Sequence, residues 1–262
     1  MSRGRNLAIQ AARGDIIAVT DAGVVLANDW LQHLTQPFDN PAVQVVSGFF
    51  EADVHTPFEV AMGATVLPLV DEVNPSTFLP SSRSVAFRKS AWEKVGGYPE
   101  WLDYCEDLIF DLRLKLLTPL AFAPRAVAHF RPRGSLRAFW KQYFLYARGD
   151  GKADLWRKRH AIRYATYCVA APVIALFGAV FSGWFWWLYL FGAAYYFYQP
   201  YKRLPVVLRG VPKMSLVEHL YIIALIPMIR VVGDVAKMTG YPVGWRWRLQ
   251  NNPPDWKQVV SR

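Results

Sequence analysis

The pattern of apolar and polar positions divides the chain into short strands and helices. Ile16-Ile17-Ala18-Val19-Thr20 is a continuous apolar run, the signature of a strand buried on both faces of a mainly parallel sheet. It ends at Asp21-Ala22-Gly23. Val43 to Gly48 predicts a second strand, and Ser84-Val85-Ala86-Phe87-Arg88 alternates like a half-buried one. Leu120 to Phe130 is strand-like, is interrupted by Pro124 and carries His129 near its end. Helices are predicted at Gly4 to Ala12, ending at Gly14, and at Asn28 to Leu34. Ser90 stands three residues before Glu93, the capping-box spacing, and opens a short helix that Gly96-Gly97 stops. Cys105-Glu106-Asp107 leads into the apolar helix Leu108 to Leu114. Residues 51 to 80 read as loops and prolines. Ser135 to Arg148 is amphipathic, with Leu136, Phe139, Tyr143 and Tyr146 on one face.

Beyond Arg163 the pattern changes. No charged residue occurs until Lys202. Split at Ser182-Gly183, this stretch gives two spans, 164–182 and 184–201, each near the ~20 residues that cross a bilayer. A buried hairpin of a soluble protein fits less well, given the density of Trp and Tyr. Basic residues flank both ends, Arg157-Lys158-Arg159 before and Lys202, Arg203, Arg209 and Lys213 after. The positive-inside rule then places both ends, and the preceding domain, in the cytoplasm. A third apolar stretch, interrupted by Pro227 and followed by Arg230, Asp234 and Lys237, predicts an interfacial helix over 216–238. Gly240 to Arg248 reads as an aromatic and basic surface loop.

Composition adds a basic, aromatic-rich balance: 30 Lys and Arg against 20 Asp and Glu, net charge +10, with 15% aromatics. Such a chain suits nucleic acid or an anionic membrane surface. No helix-turn-helix, zinc or RNA-binding signature accompanies the charge, which clusters at the membrane flanks, so nucleic acid is excluded as a partner. The two cysteines, Cys105 and Cys168, have no metal or redox spacing and suggest a reducing compartment. No apolar leader segment follows Met1.

Two adjacent carboxylates at the start of a helix, Glu106 and Asp107, are by themselves a favourable helix terminus. Asp21, at the carboxyl end of an apolar strand, stands either at a ligand site or in a simple turn. The surrounding strings narrow this. The segment AFRKSAWEKVGGYPEWLDYCEDLIFDLRL resembles the acceptor side of family 2 inverting glycosyltransferases with the GT-A fold. That resemblance implies Asp107 as catalytic base, Glu106 beside it, and Gly97 and Tyr98 on the acceptor side. A base of this kind takes the proton of the acceptor hydroxyl in a single displacement, with no covalent sugar intermediate.

GRNLAIQAARGDIIAVTDAG is similar to the same family's Arg-Asn helix, Gly-Asp turn and Asp-x-Asp strand end. Carried over, Arg5, Asn6 and Asp21 bind the nucleotide-sugar donor, and Asp21 with His129 holds Mg2+ or Mn2+. Gly23 occupies the position of the family's usual second metal carboxylate. Judged by composition alone, a lone His beside apolar residues is more often a core residue than a ligand. Ser135 to Arg148 is similar to the gating helix, which puts Gln142 on the acceptor side; the processive Gln-x-x-Arg-Trp pattern is absent. The resemblance covers residues 3 to 150, and the family's domain opens with a nucleotide-binding βαβ unit ahead of the Arg-Asn helix.

The expected fold class is therefore α/β: an incomplete GT-A (Rossmann-like) catalytic domain over 1–150, then an α-helical membrane region over 151–262. The expected function is inverting, non-processive transfer of a sugar from a nucleotide-sugar donor to a lipid-linked or cell-surface glycan acceptor. The expected location is the cell membrane, multi-pass, with the catalytic domain cytoplasmic. The alternative is a non-catalytic membrane-bound remnant or interaction protein of the same fold.

Overall fold

The computed structural model describes residues 1–257. These form two compact units: residues 1–53, 68–131 and the described residues from 247 on make one, residues 54–67 and 132–246 the other. The strands are β1 (Ile16–Val19), β2 (Val24–Leu26), β3 (Val45–Ala52), β4 (Val85–Arg88) and β5 (Ala121–Phe130). The helices are α1 (Ser2–Ala11), α2 (Trp30–Thr35), α3 (Pro57–Val66), α4 (Lys89–Lys94), α5 (Glu106–Leu117) and α6 (Leu136–Ala153). After them come α7 (Arg157–Tyr164), a π-helical segment Ala165–Ala170, α8 (Ala171–Val180), α9 (Trp186–Leu208) and α10 (Leu216–Asn251).

The first unit is built on a mixed five-stranded sheet in the order β1-β4-β3-β5-β2. Only β3 and β5 run parallel; the other pairs are antiparallel. Successive side chains of a strand face opposite ways, so the sheet feeds two cores. Val45, Val85 and Phe87 pack with Ile9, Ala91, Val95, Tyr98, Phe110 and Leu114 on the face covered by α1, α4 and α5. Val46 and Ala86 point the other way, onto Trp30, Leu34 and Phe38. Burying one such aromatic or aliphatic side chain contributes ~1.5–3 kcal/mol, so these two clusters set the register of the sheet.

Two local expectations are corrected here. The run 16–20 is not a two-face-buried strand of a mainly parallel sheet. It forms β1 at the end of the sheet order, antiparallel to β4, with Ile16 36% exposed and only Ile17 and Val19 packed on the core. An apolar run cannot distinguish these cases, because a one-sided strand uses only alternate residues. Ser90 does not cap its helix. Arg88 is the N-cap, and α4 starts two residues earlier than a Ser90 cap would set it. Lys89 N donates to Asp15 O at 2.8 Å, and Lys89 Nζ closes the end of α1 on Gln10 O and Ala12 O. Pro124 does fall where the pairing of β5 breaks: Ser47 pairs with Phe122 and Phe49 with Val127, so Ala123 to Ala126 bulge from the ladder opposite Gly48. There Gly48 leaves room for the buried Ser84 hydroxyl, which accepts from Trp30 Nε1 at 2.9 Å and donates to Ala126 O at 2.8 Å. Any Cβ at Gly48 would overlap that hydroxyl.

The second unit is helical. Residues 57–66 form the buried helix α3 rather than loop, opened by a capping box in which Thr56 Oγ1 accepts from Glu59 N at 3.3 Å. Glu59 Oε2 accepts from His55 N and Thr56 N at 2.8 and 3.1 Å. The apolar hairpin turns where the sequence breaks, at Ser182-Gly183, with Ser182 Oγ receiving Trp184 N. Among the described residues, two helices are long and apolar enough to cross a membrane, Arg157–Val180 and Leu216–Asn251. The first, continuous through its π-helical segment, buries none of its apolar window. The helix expected over 216–238 runs on to Asn251, so the expected surface loop 240–248 is helix as well. Its glycines explain the difference. Gly240 and Gly244 lie against the backbone of α6 at Phe144 and Arg148, too close for a Cβ at either position. Close helix approach over small residues overrides the turn tendency of Gly-Tyr-Pro.

Candidate active site

The carboxylate pair sits where α1, the end of β1 and the start of α5 meet in the first unit. Gly96 and Gly97 take φ of 73° and 69°, which glycine adopts without strain, and bring the chain back under α1. Asn6 fixes that return: its Nδ2 donates to Tyr98 O at 2.9 Å, and its Oδ1 accepts Tyr98 N at 2.9 Å and Trp92 Nε1 at 3.3 Å. A Cβ at Gly97 would stand 2.8 Å from Asn6 Oδ1, so glycine is required there twice over. Tyr98, now buried, stacks on Phe110 of α5 at 4.1 Å. Cys105, the residue before α5, holds a left-handed φ of 65°. Such a conformation in a non-glycine residue costs of order 1–3 kcal/mol, and it turns Glu106 inward and Asp107 outward.

Arg5 ties the parts together. Its Nη2 donates to Asp21 Oδ1 at 2.7 Å, its Nη1 lies 3.6 Å from Glu106 Oε1, and its guanidinium lies over the Tyr98 ring at 5.4 Å. Glu106 is 5% exposed. Burial pushes its carboxyl above the usual range and Asp107 adds to the rise, while its own backbone N–H and Arg5 pull it back. Asp107 is half-buried. One oxygen, Oδ1, accepts Leu108 N–H at 2.8 Å, and Oδ2 accepts the Ser82 hydroxyl at 3.4 Å. One turn further along α5 stands Asp111, fully buried; burial first, then the negative charge of Asp107, push its carboxyl well above the usual range. Tyr98 is driven up in the same way, by burial and then by Asp111. The arrangement is one guanidinium facing two carboxylates, with a third, outward carboxylate oriented by two donors.

The model of glycosyl transferase family 21 matches residues 6–229, most of the chain and all of this site except Arg5. The chain belongs to glycosyl transferase family 21. The matching family is thus family 21 rather than the family 2 that the motifs resemble. Among solved structures, a mannosyltransferase of Pyrobaculum calidifontis, determined with GDP-Man and Mn2+, is similar at TM-score 0.53 and 19% identity. The alignment covers 91% of this chain and 66% of that one, so the chain spans slightly less than two thirds of its length. This likeness shows the fold: an α/β sheet domain of the GT-A glycosyltransferase kind, with apolar helices C-terminal to it. TarS of S. aureus, residues 1–349, matches at 16% identity over 95% of this chain and 71% of that one, with a TM-score of 0.37. No curated protein matches.

In this family 21 chain, then, the structure brings Arg5, Asn6, Asp21, Gly97, Tyr98, Glu106 and Asp107 together. It puts Asn6, Gly97 and Tyr98 beneath the site, as the support of Arg5 and α5, rather than at its surface. Gln142 lies on α6 in the other unit, where Nε2 donates to Tyr146 Oη at 2.7 Å and Oε1 accepts from Arg133 at 3.4 Å. His129, on β5, faces Glu51 with Nδ1 3.8 Å from Oε2. The expected metal set of Asp21 and His129 is not assembled. A hard divalent cation takes six or more ligands, mostly oxygens, from carboxylates, carbonyls and water. Here Asp21 Oδ1 is engaged by Arg5, Gly23 offers no side chain, and no group of three or more His, Cys, Asp or Glu fit for a metal occurs among the described residues. The residues present do not fit the ion.

Three site residues escaped the sequence reading. Ser82 orients Asp107. Asp111 is the buried neighbour, and Arg113 donates to Gly97 O at 3.4 Å and Trp256 O at 3.1 Å. Asp111 and Arg113 do carry a signal, as charges breaking the apolar face of Leu108 to Leu114. Ser82 carries none.

Proposed function

We propose that the chain transfers a sugar from a nucleotide-sugar donor to an acceptor hydroxyl, without processivity and with inversion, and that Asp107 is the base. The supporting observation is the Arg5–Asp21–Glu106 constellation with Asp107 outward beside it. Arg5, held by carboxylates on two sides, retains donors for the diphosphate oxygens; a guanidinium offers five N–H groups in a fixed fork. Glu106 holds Arg5 and does not reach outward. The acceptor oxygen attacks the anomeric carbon as the bond to the diphosphate breaks; the nucleoside diphosphate leaves with the electron pair, and the hydroxyl proton passes to Asp107. Leu108 N–H and the Ser82 hydroxyl fix which lone pairs of Asp107 remain for that proton. The solved mannosyltransferase was determined with GDP-Man, which supports a nucleotide-sugar donor here. The apolar helices support a membrane-anchored enzyme with a lipid-linked or cell-surface glycan acceptor and its sheet domain on the basic, cytoplasmic side.

The test is the transfer rate of Asp107→Asn beside Glu106→Gln, with donor affinity measured in parallel. Asp107→Asn is expected to lower turnover by roughly 10²–10⁴-fold with donor affinity kept. Near-normal turnover in Asp107→Asn with a dead Glu106→Gln would move the base to Glu106. The non-catalytic reading is favoured by Gly23 and the missing metal donor set; donor binding without turnover in the unaltered chain would establish it.

A further inference from the structure

The helical unit contains a cavity of about 900 Å³ whose wall changes character along its length. On the Arg157–Val180 helix the lining residues recur every three to four positions, as one stripe. It begins at Arg159 and Arg163, passes Thr166 and Tyr167, and ends in Ala170, Ala171 and Ile174. The π-helical segment Ala165–Ala170 supplies the middle of that stripe, and such segments concentrate at functional sites. α9 runs the other way, from Leu188 and Gly192 at the apolar end to Tyr196 and Arg203. The Tyr189 hydroxyl bonds Ala171 O, and Tyr167 meets Tyr196 at 3.1 Å, which fixes that antiparallel match. α10 adds Arg230, Asp234 and Lys237 at the polar end.

The polar end is built, not incidental. Asp234 accepts from Arg163 Nε at 2.7 Å, from the Tyr196 hydroxyl and from Tyr167 at 3.3 Å, and Lys237 stands 3.8 Å away. Arg230 lies over the Tyr196 ring at 4.8 Å. Five cationic side chains line the cavity against one carboxylate. Among the lining residues the single carboxylate of Asp234 stands against the three cations Arg163, Arg230 and Lys237, and an excess of positive charge gathered in a low-dielectric cleft favours an anion. From Arg163 the apolar wall extends about three turns, ~16 Å, to Ile174. An ion alone would leave that wall uncovered, and an uncharged lipid would leave the cations unanswered.

We infer that this cavity binds an amphiphile with a phosphate head, the head at Arg163, Arg230 and Lys237 and the alkyl chain along Ala170, Ile174 and Leu188. The inference goes beyond the transferase reading and does not depend on it. Binding is measured on the full chain in neutral detergent with three probes: dodecyl phosphate, dodecanol and inorganic phosphate. Dodecyl phosphate is expected to bind at least about tenfold more tightly than either of the others, the worth of one charge-assisted hydrogen bond or more. Arg230→Gln should weaken it by about tenfold and Arg230→Lys should restore most of the loss, while the midpoint of thermal unfolding stays unchanged. Ile174→Trp, which fills the apolar end, should weaken dodecyl phosphate and leave inorganic phosphate unaltered. Equal binding of dodecanol would reduce the cavity to an apolar trap, equal binding of inorganic phosphate to an anion site; either overturns the proposal. So would Arg230→Gln and Ile174→Trp variants that bind like the parent.

Discussion

At the residue scale, Asn6 and Asp111 show how much of the site is internal support. Both oxygen and nitrogen of the Asn6 amide hold the backbone of Tyr98. Asn6→Ala leaves those groups unpaired under Arg5, at a cost of about 1–3 kcal/mol, and a lowered unfolding midpoint checks it. Asp21 and Asp29 separate donor binding from general folding. Asp21 pairs with Arg5, whereas Asp29 pairs with His33 at 2.8 Å outside the site. Asp21→Ala should therefore weaken donor affinity far more than Asp29→Ala; equal losses in a binding titration would make Asp21 a turn residue only. Asp111 gives a pH dependence. Its folded carboxyl titrates above the ordinary value of about 4. Its contribution to stability is complete below that ordinary value and is lost as pH rises through the raised one. Asp111→Asn removes the titration, so the variant should lose less stability than the parent as pH rises. Unfolding midpoints across that range measure it.

At the element scale the instructive case is α10. Gly233, Ala236, Gly240 and Gly244 are buried along one face, with Gly233 set against Phe139 and the last two against the backbone of α6. Gly244→Leu has no room, since the neighbours are backbone atoms that no rotamer change can move. The expected cost is at least the ~1–3 kcal/mol of overpacking, read as a lower unfolding midpoint or loss of the folded fraction in detergent. Leu249→Ala, at an exposed position of the same helix, serves as control and should change little. α5 teaches the complementary point. Its helix and its acidic start were legible from Glu106-Asp107 and the apolar run after them. The inward turn of Glu106 was not, because it follows from the left-handed backbone of Cys105, a residue type with no preference for that conformation.

At the scale of the whole molecule, the apolar surface is the dominant fact. Val169, Leu176, Val180, Phe181, Trp184, Phe191 and Tyr195 are all exposed on the helices between residues 157 and 208. Exposed apolar area of this extent demands a partner surface, and lipid is the partner proposed here. Carbonate extraction of membranes should leave the protein in the pellet; release into the supernatant would overturn the membrane reading.

The sequence by itself determined the helices α1, α2, α5 and α6 and the strands β1, β3, β4 and β5, the apolar hairpin with its break at Ser182-Gly183, and the carboxylate pair. Each of these rests on local periodicity, a capping or stop residue, or charge. Only the tertiary structure decided that β1 ends the sheet order, that 57–66 is a buried helix and that 240–248 continues α10. It alone also decided that Arg5 joins Asp21 to Glu106 and that five cations meet one carboxylate in the helical unit. Those outcomes depend on which surfaces meet, and a meeting between residues far apart in the chain leaves no trace in the pattern of either segment.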